Sequence, residues 1–308
     1  MSEDREYFYP STDAFYGAYH PLKKETKRAV IAMIGDAPDD HMAMAAVKYL
    51  HDRKCNVMTM VPAVKDYSHV NLPIERWGAA IGYLKRQGIE KIGIAGASTT
   101  AMEALVVASY YPEISLTVAF SPSDFVMEGF LRDGLDGADE RPADGAAALS
   151  WEGEPLPYMP FAYRHPEYWH KLQEEAKATG NMTASREMFE ESERRHPLQE
   201  EEMIRVEDIR GRIVLVGAED DAMWDTCRYI RRMVDRLKAH DHDSKVDCWL
   251  YAYGTHFLYP QSMLKRMLPV GANLYPRLTF QSARKHPKEC KDARRDVDRR
   301  LTQVLKEW

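Results

Sequence analysis

The feature that most restricts the fold is residues 92–105, which read Ile-Gly-Ile-Ala-Gly-Ala-Ser-Thr-Thr-Ala-Met-Glu-Ala-Leu. A short apolar run passes through small and hydroxylated residues into a helical pattern, which predicts a strand, a sharp turn and a helix. In such a turn the hydroxyl of Ser98 projects from the top of the sheet, beside the helix N-terminus where negative charge is stabilised. Gly96 lets strand and helix backbones approach closely. Ser98 is therefore a candidate nucleophile.

The same stretch also allows a plainer interpretation. The usual elbow motif is Gly-x-Ser-x-Gly, and Thr100 takes the place of its second glycine. Serine at a strand-to-helix turn is also a common helix cap. Residues elsewhere in the chain must decide between the two.

Composition excludes several classes of function. A chain of 308 residues that is 44% hydrophobic can bury a large core, and its net charge of -6 gives no reason to expect nucleic acid or an anionic membrane as a partner. We expect neither a membrane-spanning segment nor a signal peptide, because no apolar run is long enough and the first residues are acidic. We expect reduced thiols and a cytoplasmic location, because the four cysteines are scattered without metal-ligand spacing: Cys55, Cys227, Cys248 and Cys290.

The order of apolar segments predicts an α/β fold. Buried-strand patterns at 28–34, 56–61, 91–95 and 115–120 alternate with helical patterns. This alternation predicts a mostly parallel central sheet with helices on both faces, whose site lies at the carboxyl ends of the strands.

Two regions depart from this rhythm. Residues 1–27 form an aromatic, irregular arm that we expect to lie against its own domain or a second subunit in a homodimer. Residues 121–206, rich in glycine, proline and rings, interrupt a core formed by 28–120 and 207–308. We interpret them as a cap, with a surface excursion as the alternative. The cap would place aromatic side chains in the substrate pocket: Trp151, Tyr158, Phe161, Tyr163, Tyr168 and Trp169.

The partners of Ser98 come late in the chain. A buried strand around 213–216 delivers Asp220 and Asp221, and His256 follows the next strand, around 246–251. The order serine, aspartate, histidine is that of α/β-hydrolases, in which histidine takes the serine proton and the carboxylate orients the histidine. Each residue alone has an ordinary explanation, such as a helix cap for the aspartates. Their common position after strands favours a catalytic triad.

Three blocks carry a family resemblance. They are Val-Gly-Ala-Glu-Asp-Asp-Ala-Met-Trp at 216–224, Asn-Leu-Pro-Ile-Glu at 71–75 and Gly-Thr-His-Phe at 254–257. They resemble the C-terminal catalytic domain of the acyl-CoA thioester hydrolase and bile acid-CoA:amino acid N-acyltransferase family, over 28–120 and 205–260. The resemblance implies an α/β-hydrolase fold and an acyl thioester substrate. In that family, serine at the nucleophile position accompanies hydrolysis and cysteine accompanies amino-acid conjugation.

The resemblance leaves one choice open and shows departures. Asp221 keeps the family spacing to Trp224 and is favoured as the triad acid, whereas Asp220 keeps the spacing to Gly217. We expect no counterpart of the family's immunoglobulin-like N-terminal domain, because the first predicted core strand begins near residue 28. Its glycine-rich oxyanion loop corresponds to Gly-Asp-Ala-Pro-Asp-Asp at 35–40. We expect the Thr99 N–H as first oxyanion donor and the N–H of Asp36 or Ala37 as second.

Three hypotheses for the function follow. The favoured one is a serine hydrolase that cleaves a small-molecule acyl ester or thioester through an acyl-enzyme, without metal or cofactor. The second is a catalytically inactive hydrolase fold that binds a ligand or partner, suggested by Thr100 and the acidic loop. The third is a peptidase or other amide hydrolase on the same triad. His240 and His242 lie in a polar connection and are interpreted as solvated rather than metal-binding.

Overall fold

The computed structural model describes residues 5–62, 68–130, 144–164 and 167–308. Its main sheet contains eight strands: β1 (Glu6–Phe8), β2 (Tyr16–His20), β3 (Arg28–Met33), β4 (Asn56–Val61), β6 (Lys91–Ala97), β7 (Ile114–Phe120), β10 (Arg212–Ala218) and β11 (Lys245–Tyr251). A second, smaller sheet contains three strands: β5 (Leu72–Pro73), β8 (Leu149–Trp151) and β9 (Glu154–Pro155).

Eleven α-helices are present in the described ranges. They are α1 (Pro10–Asp13), α2 (His41–His51), α3 (Glu75–Arg86), α4 (Thr99–Tyr110), α5 (Glu167–Thr179), α6 (Arg186–Arg195), α7 (Thr226–Ala239), α8 (Gln261–Met267), α9 (Tyr275–Thr279), α10 (Gln281–Lys285) and α11 (Pro287–Glu307).

The strand order of the main sheet is β1-β2-β4-β3-β6-β7-β10-β11. All neighbouring pairs from β4 to β11 are parallel, whereas β2 pairs antiparallel with both β1 and β4. Buried side chains of α3, α4 and α7 belong to one core cluster, and those of α2, α8 and α11 belong to another. The predicted parallel sheet with helices on both faces is therefore confirmed, and it brings the ends of β6, β10 and β11 to one edge.

The N-terminal segment corrects one expectation. Residues 5–20 are not an irregular arm, because β1 and β2 extend the main sheet at its edge. Phe8, Phe15 and Tyr19 are buried in the protein's own core. Gly17 allows this close pairing, since a Cβ there would lie 2.6 Å from the Thr59 carbonyl oxygen. That glycine interrupts the short apolar pattern of β2, so hydrophobic periodicity did not predict the strand.

Between β7 and β10 the described chain leaves the main sheet and packs along α7. Three arginines one turn apart on α7 bind carboxylates of the segment between β7 and β10. Arg228 contacts Glu193 at 2.6 Å, Arg232 contacts Asp124 at 2.6 Å, and Arg236 contacts Glu207 at 2.6 Å. This row of ion pairs attaches the segment along α7. Its division from the core at 121–206 stays a prediction.

No helix within the described ranges is long and apolar enough to cross a membrane.

Candidate active site

Ser98 sits at the junction of β6 and α4 in a strained conformation. Its φ of 60° and ψ of -128° are rarely adopted by a non-glycine residue. The turn is tight because a Cβ on Gly96 would lie 2.0 Å from the Thr100 carbonyl oxygen. Gly96 is therefore required for helix α4 to start where it does. The serine side chain is half-buried at the carboxyl edge of the sheet.

Thr100, which departs from the usual glycine, has a structural function in this turn. Its hydroxyl accepts a hydrogen bond from the Ala97 N–H at 2.9 Å and lies 3.1 Å from the carbonyl oxygen of Met33, to which it can donate. The side chain thus connects the elbow to the end of β3. The substitution does not disrupt the elbow.

The predicted acid and base are in contact. His256 Nδ1 lies 2.9 Å from Asp221 Oδ2 and 3.0 Å from Asp221 Oδ1. Asp221 is only 1% exposed and also accepts from the Met223 N–H at 2.9 Å and the Thr226 hydroxyl at 2.5 Å. These donors hold the carboxylate in place, and the carboxylate in turn orients the imidazole through its Nδ1 atom.

Asp220 makes no such contact. Its Oδ1 accepts from the N–H groups of Gly254 and Thr255, both at 2.8 Å, and its Oδ2 accepts from the Ser282 hydroxyl. Burial is the largest effect on its pKa, which is raised from the ordinary value. Asp220 therefore positions the loop before His256, where Thr255 has a φ of 59°. The geometry favours Asp221 over Asp220 as the partner of the histidine.

Backbone contacts connect the Ser98 and His256 loops. The Ser98 N–H donates to the Phe120 carbonyl at 2.8 Å, and the next residue, Ser121, donates its hydroxyl to the His256 carbonyl at 3.2 Å. The indole of Trp224 donates to the Ser121 carbonyl and packs edge-on against the His256 ring, with centroids 4.9 Å apart. Within the described residues no hydrogen bond joins the Ser98 hydroxyl to the imidazole. The three predicted residues share one edge of the sheet.

The oxyanion prediction depends on which N–H groups are free to donate. Thr99 is the first residue of α4, so its N–H has no acceptor within the helix. The N–H groups of Asp36 and Ala37, by contrast, donate to Asp40 Oδ2 at 2.6 and 3.2 Å. Asp40 also caps α2 through its other oxygen, which accepts from the Ala43 N–H. Asp36 and Ala37 are thus occupied, and they are not free oxyanion donors.

Two of the predicted pocket aromatics lie elsewhere. The Trp151 ring contacts Tyr110 at 4.9 Å, at the far end of α4 and therefore about 18 Å along the helix from Ser98. Tyr163 lies on the outer side of the insertion, beside Lys171 of α5, and its hydroxyl accepts from Arg195 of α6. Both assignments are corrected, because the tertiary packing of the insertion rather than its composition decides where rings go.

Phe161 lies nearer to the site. Its ring is 5.5 Å from Phe189, which is 5.1 Å from Trp224, the residue that contacts His256. Tyr168 stacks on Phe161 with ring centroids 5.6 Å apart, so it is connected to His256 through the same chain of rings. Trp169 packs edge-on against Tyr168 and forms the outer end of this chain. Tyr158 lies close enough to Glu128 and Arg164 to interact with their charges.

Sequence reasoning missed a buried contact between a histidine and a glutamate near the elbow. His69 Nδ1 lies 2.5 Å from Glu103 Oε1, and both side chains are almost completely inaccessible. Glu103 lies on α4, five residues after Ser98, and Arg76 is close enough for its charge to interact with it. The signal in the sequence was a single glutamate within the otherwise apolar run of α4. No group of three or more potential metal ligands occurs in the part of the chain that the structure describes.

The family comparison agrees with this arrangement. The family described as BAAT / acyl-CoA thioester hydrolase C terminal matches residues 72–263. The chain belongs to this family. The matched range includes Ser98, Asp221 and His256 and runs without a break through the insertion, which the resemblance by motif had left out. As a member of this family, the chain is a hydrolase of the esterase or thioesterase type.

Solved structures confirm the α/β-hydrolase fold. The chain is similar to the Pyrococcus furiosus esterase Pf2001, with a TM-score of 0.50, 14% identity and coverage of 98% of this chain and 94% of that chain. It is also similar to the carboxylesterase EstE1 from a metagenomic library, with a TM-score of 0.50, 13% identity and coverage of 95% and 84%. A putative dienelactone hydrolase from Klebsiella pneumoniae has a TM-score of 0.50, 8% identity and coverage of 96% and 93%. The chain has no significant match among curated proteins.

Proposed function

We propose that this family member is a serine hydrolase that cleaves an acyl thioester or carboxylic ester through an acyl-enzyme formed on Ser98. The observation that carries the proposal is the strained backbone of Ser98 at the start of α4. Such strain costs of order 1–3 kcal/mol and persists where the surrounding structure imposes it, as at active sites. The contact of Asp221 with His256 supports the same interpretation.

The chemistry follows from the positions of these groups. Asp221 orients His256 through Nδ1, which leaves Nε2 to accept the Ser98 proton as the hydroxyl attacks the acyl carbonyl. The Thr99 N–H and the N-terminus of α4 stabilise the oxyanion. His256 then returns the proton to the leaving alcohol or thiol. Water, activated by the same histidine, releases the acid and restores the serine.

Fluorophosphonate labelling tests this proposal directly. We expect intact-mass spectrometry to find one label on the wild type, located at Ser98, and none on Ser98→Ala. Ser109→Ala, which changes a serine at the far end of the same helix, is the matched control and should label normally. A folded wild-type protein that never labels would contradict the proposal.

An inactive, ligand-binding hydrolase fold is the second candidate. The observation that favours it is Asp40, whose carboxylate accepts from the N–H groups of Asp36 and Ala37. Binding without turnover of p-nitrophenyl esters and acyl-CoA thioesters, together with no labelling of Ser98, would support it. For the first candidate, faster turnover of thioesters than of esters with the same acyl group would identify a thiol as the leaving group. Cleavage of amide substrates, without turnover of esters or thioesters, would favour a peptidase.

A further inference from the structure

An apolar cavity lies between the main sheet and helices α2, α8 and α11. It has a volume of about 50 Å³, several times the roughly 10–15 Å³ that one water needs on the same measure. Its lining is almost entirely carbon, so it offers a water molecule few of the two to four polar partners that would hold it. A space of this kind in a close-packed interior is suited to an apolar ligand.

The register of the sheet shows how deep the cavity is. Side chains at alternate positions share one face of a strand, so Gly93, Ala95 and Ala97 of β6 face the same side. Phe120 is paired with Ala97 at the top, Ala32 with Ala95 in the middle, and Val30 and Leu116 with Gly93 at the bottom. The cavity reaches from the top pair to the bottom pair. Four residues of β6 give a length of about 13 Å.

Exposure shows which end of the cavity is open. Ala95 and Ala97 are only half-buried although β6 is flanked by strands on both sides, whereas Val30 and Leu116 at the bottom are 2% and 0% exposed. The indole of Trp308 closes the bottom, since a Cβ on Gly93 would lie 3.2 Å from its Cη2 atom. The cavity therefore opens at the carboxyl edge of the sheet.

The opening lies beside the candidate active site. Ala97, at its rim, directly precedes Ser98. Tyr259 and Pro260, which also line the cavity, follow His256 by three and four residues. The Tyr259 ring lies 6.1 Å from Phe120, across the opening. An acyl chain that enters this opening therefore begins next to Ser98.

We propose that this cavity is the acyl-chain site, and that an unbranched acyl group of the substrate enters beside Ser98 and lies along Ala97 and Ala95 toward Leu301. This rests on the proposed function for the identity of the nucleophile. It moves the acyl group from the cap, where aromatic side chains were expected to hold it, to the opposite face of the sheet. The alanines on β3 and β6 provide the space, because longer side chains at these positions would fill it.

Chain-length selectivity tests the site. Ala95→Ile blocks the cavity half-way. The ratio of kcat/KM for the dodecanoyl p-nitrophenyl ester to kcat/KM for the butanoyl ester should therefore fall, by about tenfold for every two methylenes that the isoleucine excludes. Leu301→Ala extends the cavity and should shift the preference toward longer chains. Ala252→Ile, at an exposed position after β11, is the matched control and should leave the ratio of the two esters unchanged.

Binding to an inactive variant separates this proposal from the proposed function. We expect dodecanoic acid to bind Ser98→Ala in isothermal titration calorimetry and to lose at least tenfold in affinity in Ser98→Ala/Ala95→Ile. That loss without any labelling of Ser98 in the wild type would retain the site and overturn the hydrolase. Labelled, active enzyme whose dodecanoyl-to-butanoyl ratio is unchanged in both Ala95→Ile and Leu301→Ala would overturn the site and retain the hydrolase.

Discussion

Thr100, Asp40 and Asp220 have functions that their positions in the sequence do not reveal. Thr100 holds the elbow against β3 through its hydroxyl. Asp40 binds the N–H groups of the loop after β3 while it caps α2. Asp220 holds the backbone that precedes His256. At the residue scale, therefore, polar side chains beside the predicted triad shape the backbone around it.

The two aspartates after β10 allow a matched comparison at this scale. Asp221→Asn should lower kcat on the order of 10⁴-fold, because an amide leaves the histidine in the wrong tautomer. Asp220→Asn keeps an oxygen that can accept from Gly254 and Thr255, so it should retain most of the activity. Ester hydrolysis and circular dichroism of both variants provide the measurement. Equal losses in two well-folded variants would contradict the assignment of the acid.

At the element scale, helix α7 is the structural link between insertion and core. Its arginines 228, 232 and 236 lie on one stripe and bind the segment between β7 and β10, and the Asp221 loop immediately precedes the helix. Arg186 of α6 reaches the same loop, where it donates to the carbonyls of Glu219 and Asp221. The insertion is thus attached to the segment that holds the predicted acid.

The Arg232–Asp124 pair should dominate this attachment. Asp124 is 1% exposed, and burial is the largest effect on its pKa, which is raised to about 6. Removing the cation in Arg232→Met leaves an unpaired buried carboxylate and should cost about 3 kcal/mol of unfolding free energy in urea denaturation. Asp124→Asn in that background should recover part of the loss.

Arg228→Met is the matched control for this pair. Arg228 is 41% exposed and binds Glu193 near the surface, so its removal should cost less than about 1 kcal/mol. If Arg228→Met destabilises the protein as much as Arg232→Met, burial does not determine how much each ion pair contributes to stability.

On the scale of the whole molecule, the N-terminal strands complete the sheet and bury a histidine. His20 of β2 is 2% exposed, and its Nε2 lies 3.0 Å from the Thr59 hydroxyl on β4. Burial, as the largest cause, lowers the pKa of His20 to about 4. Protonation of this imidazole therefore opposes folding.

This burial predicts how global stability depends on pH. The unfolded chain binds a proton at His20 near pH 6.5, whereas the folded chain does so only near pH 4, so unfolding is favoured as the pH falls through this window. His20 should account for up to about 3 kcal/mol of lost stability between these values. Urea denaturation should show a weaker pH dependence in His20→Gln. His240→Gln, at an exposed position, should keep the wild-type dependence, and an unchanged profile in His20→Gln would contradict the prediction.

The sequence by itself determined the parallel sheet, the elbow at Ser98 and the late positions of the aspartates and His256. These depend on local hydrophobic periodicity and on chain order, both of which are present in short stretches. Family motifs also favoured Asp221. That its carboxylate contacts His256, however, depends on how the chain turns after β10, because Asp220 and Asp221 are adjacent and point in different directions.

Only the tertiary structure decided the remaining features, because each depends on residues far apart in the chain. The aromatic side chains of the insertion divide between α4, the outer helices and the Trp224 ring, although their composition is uniform. Whether the N–H groups of Asp36 and Ala37 are already hydrogen-bonded depends on how the loop folds back onto Asp40. The apolar cavity exists only because alanines of separate strands fall into register against α2 and α11, and no single stretch of sequence contains that coincidence.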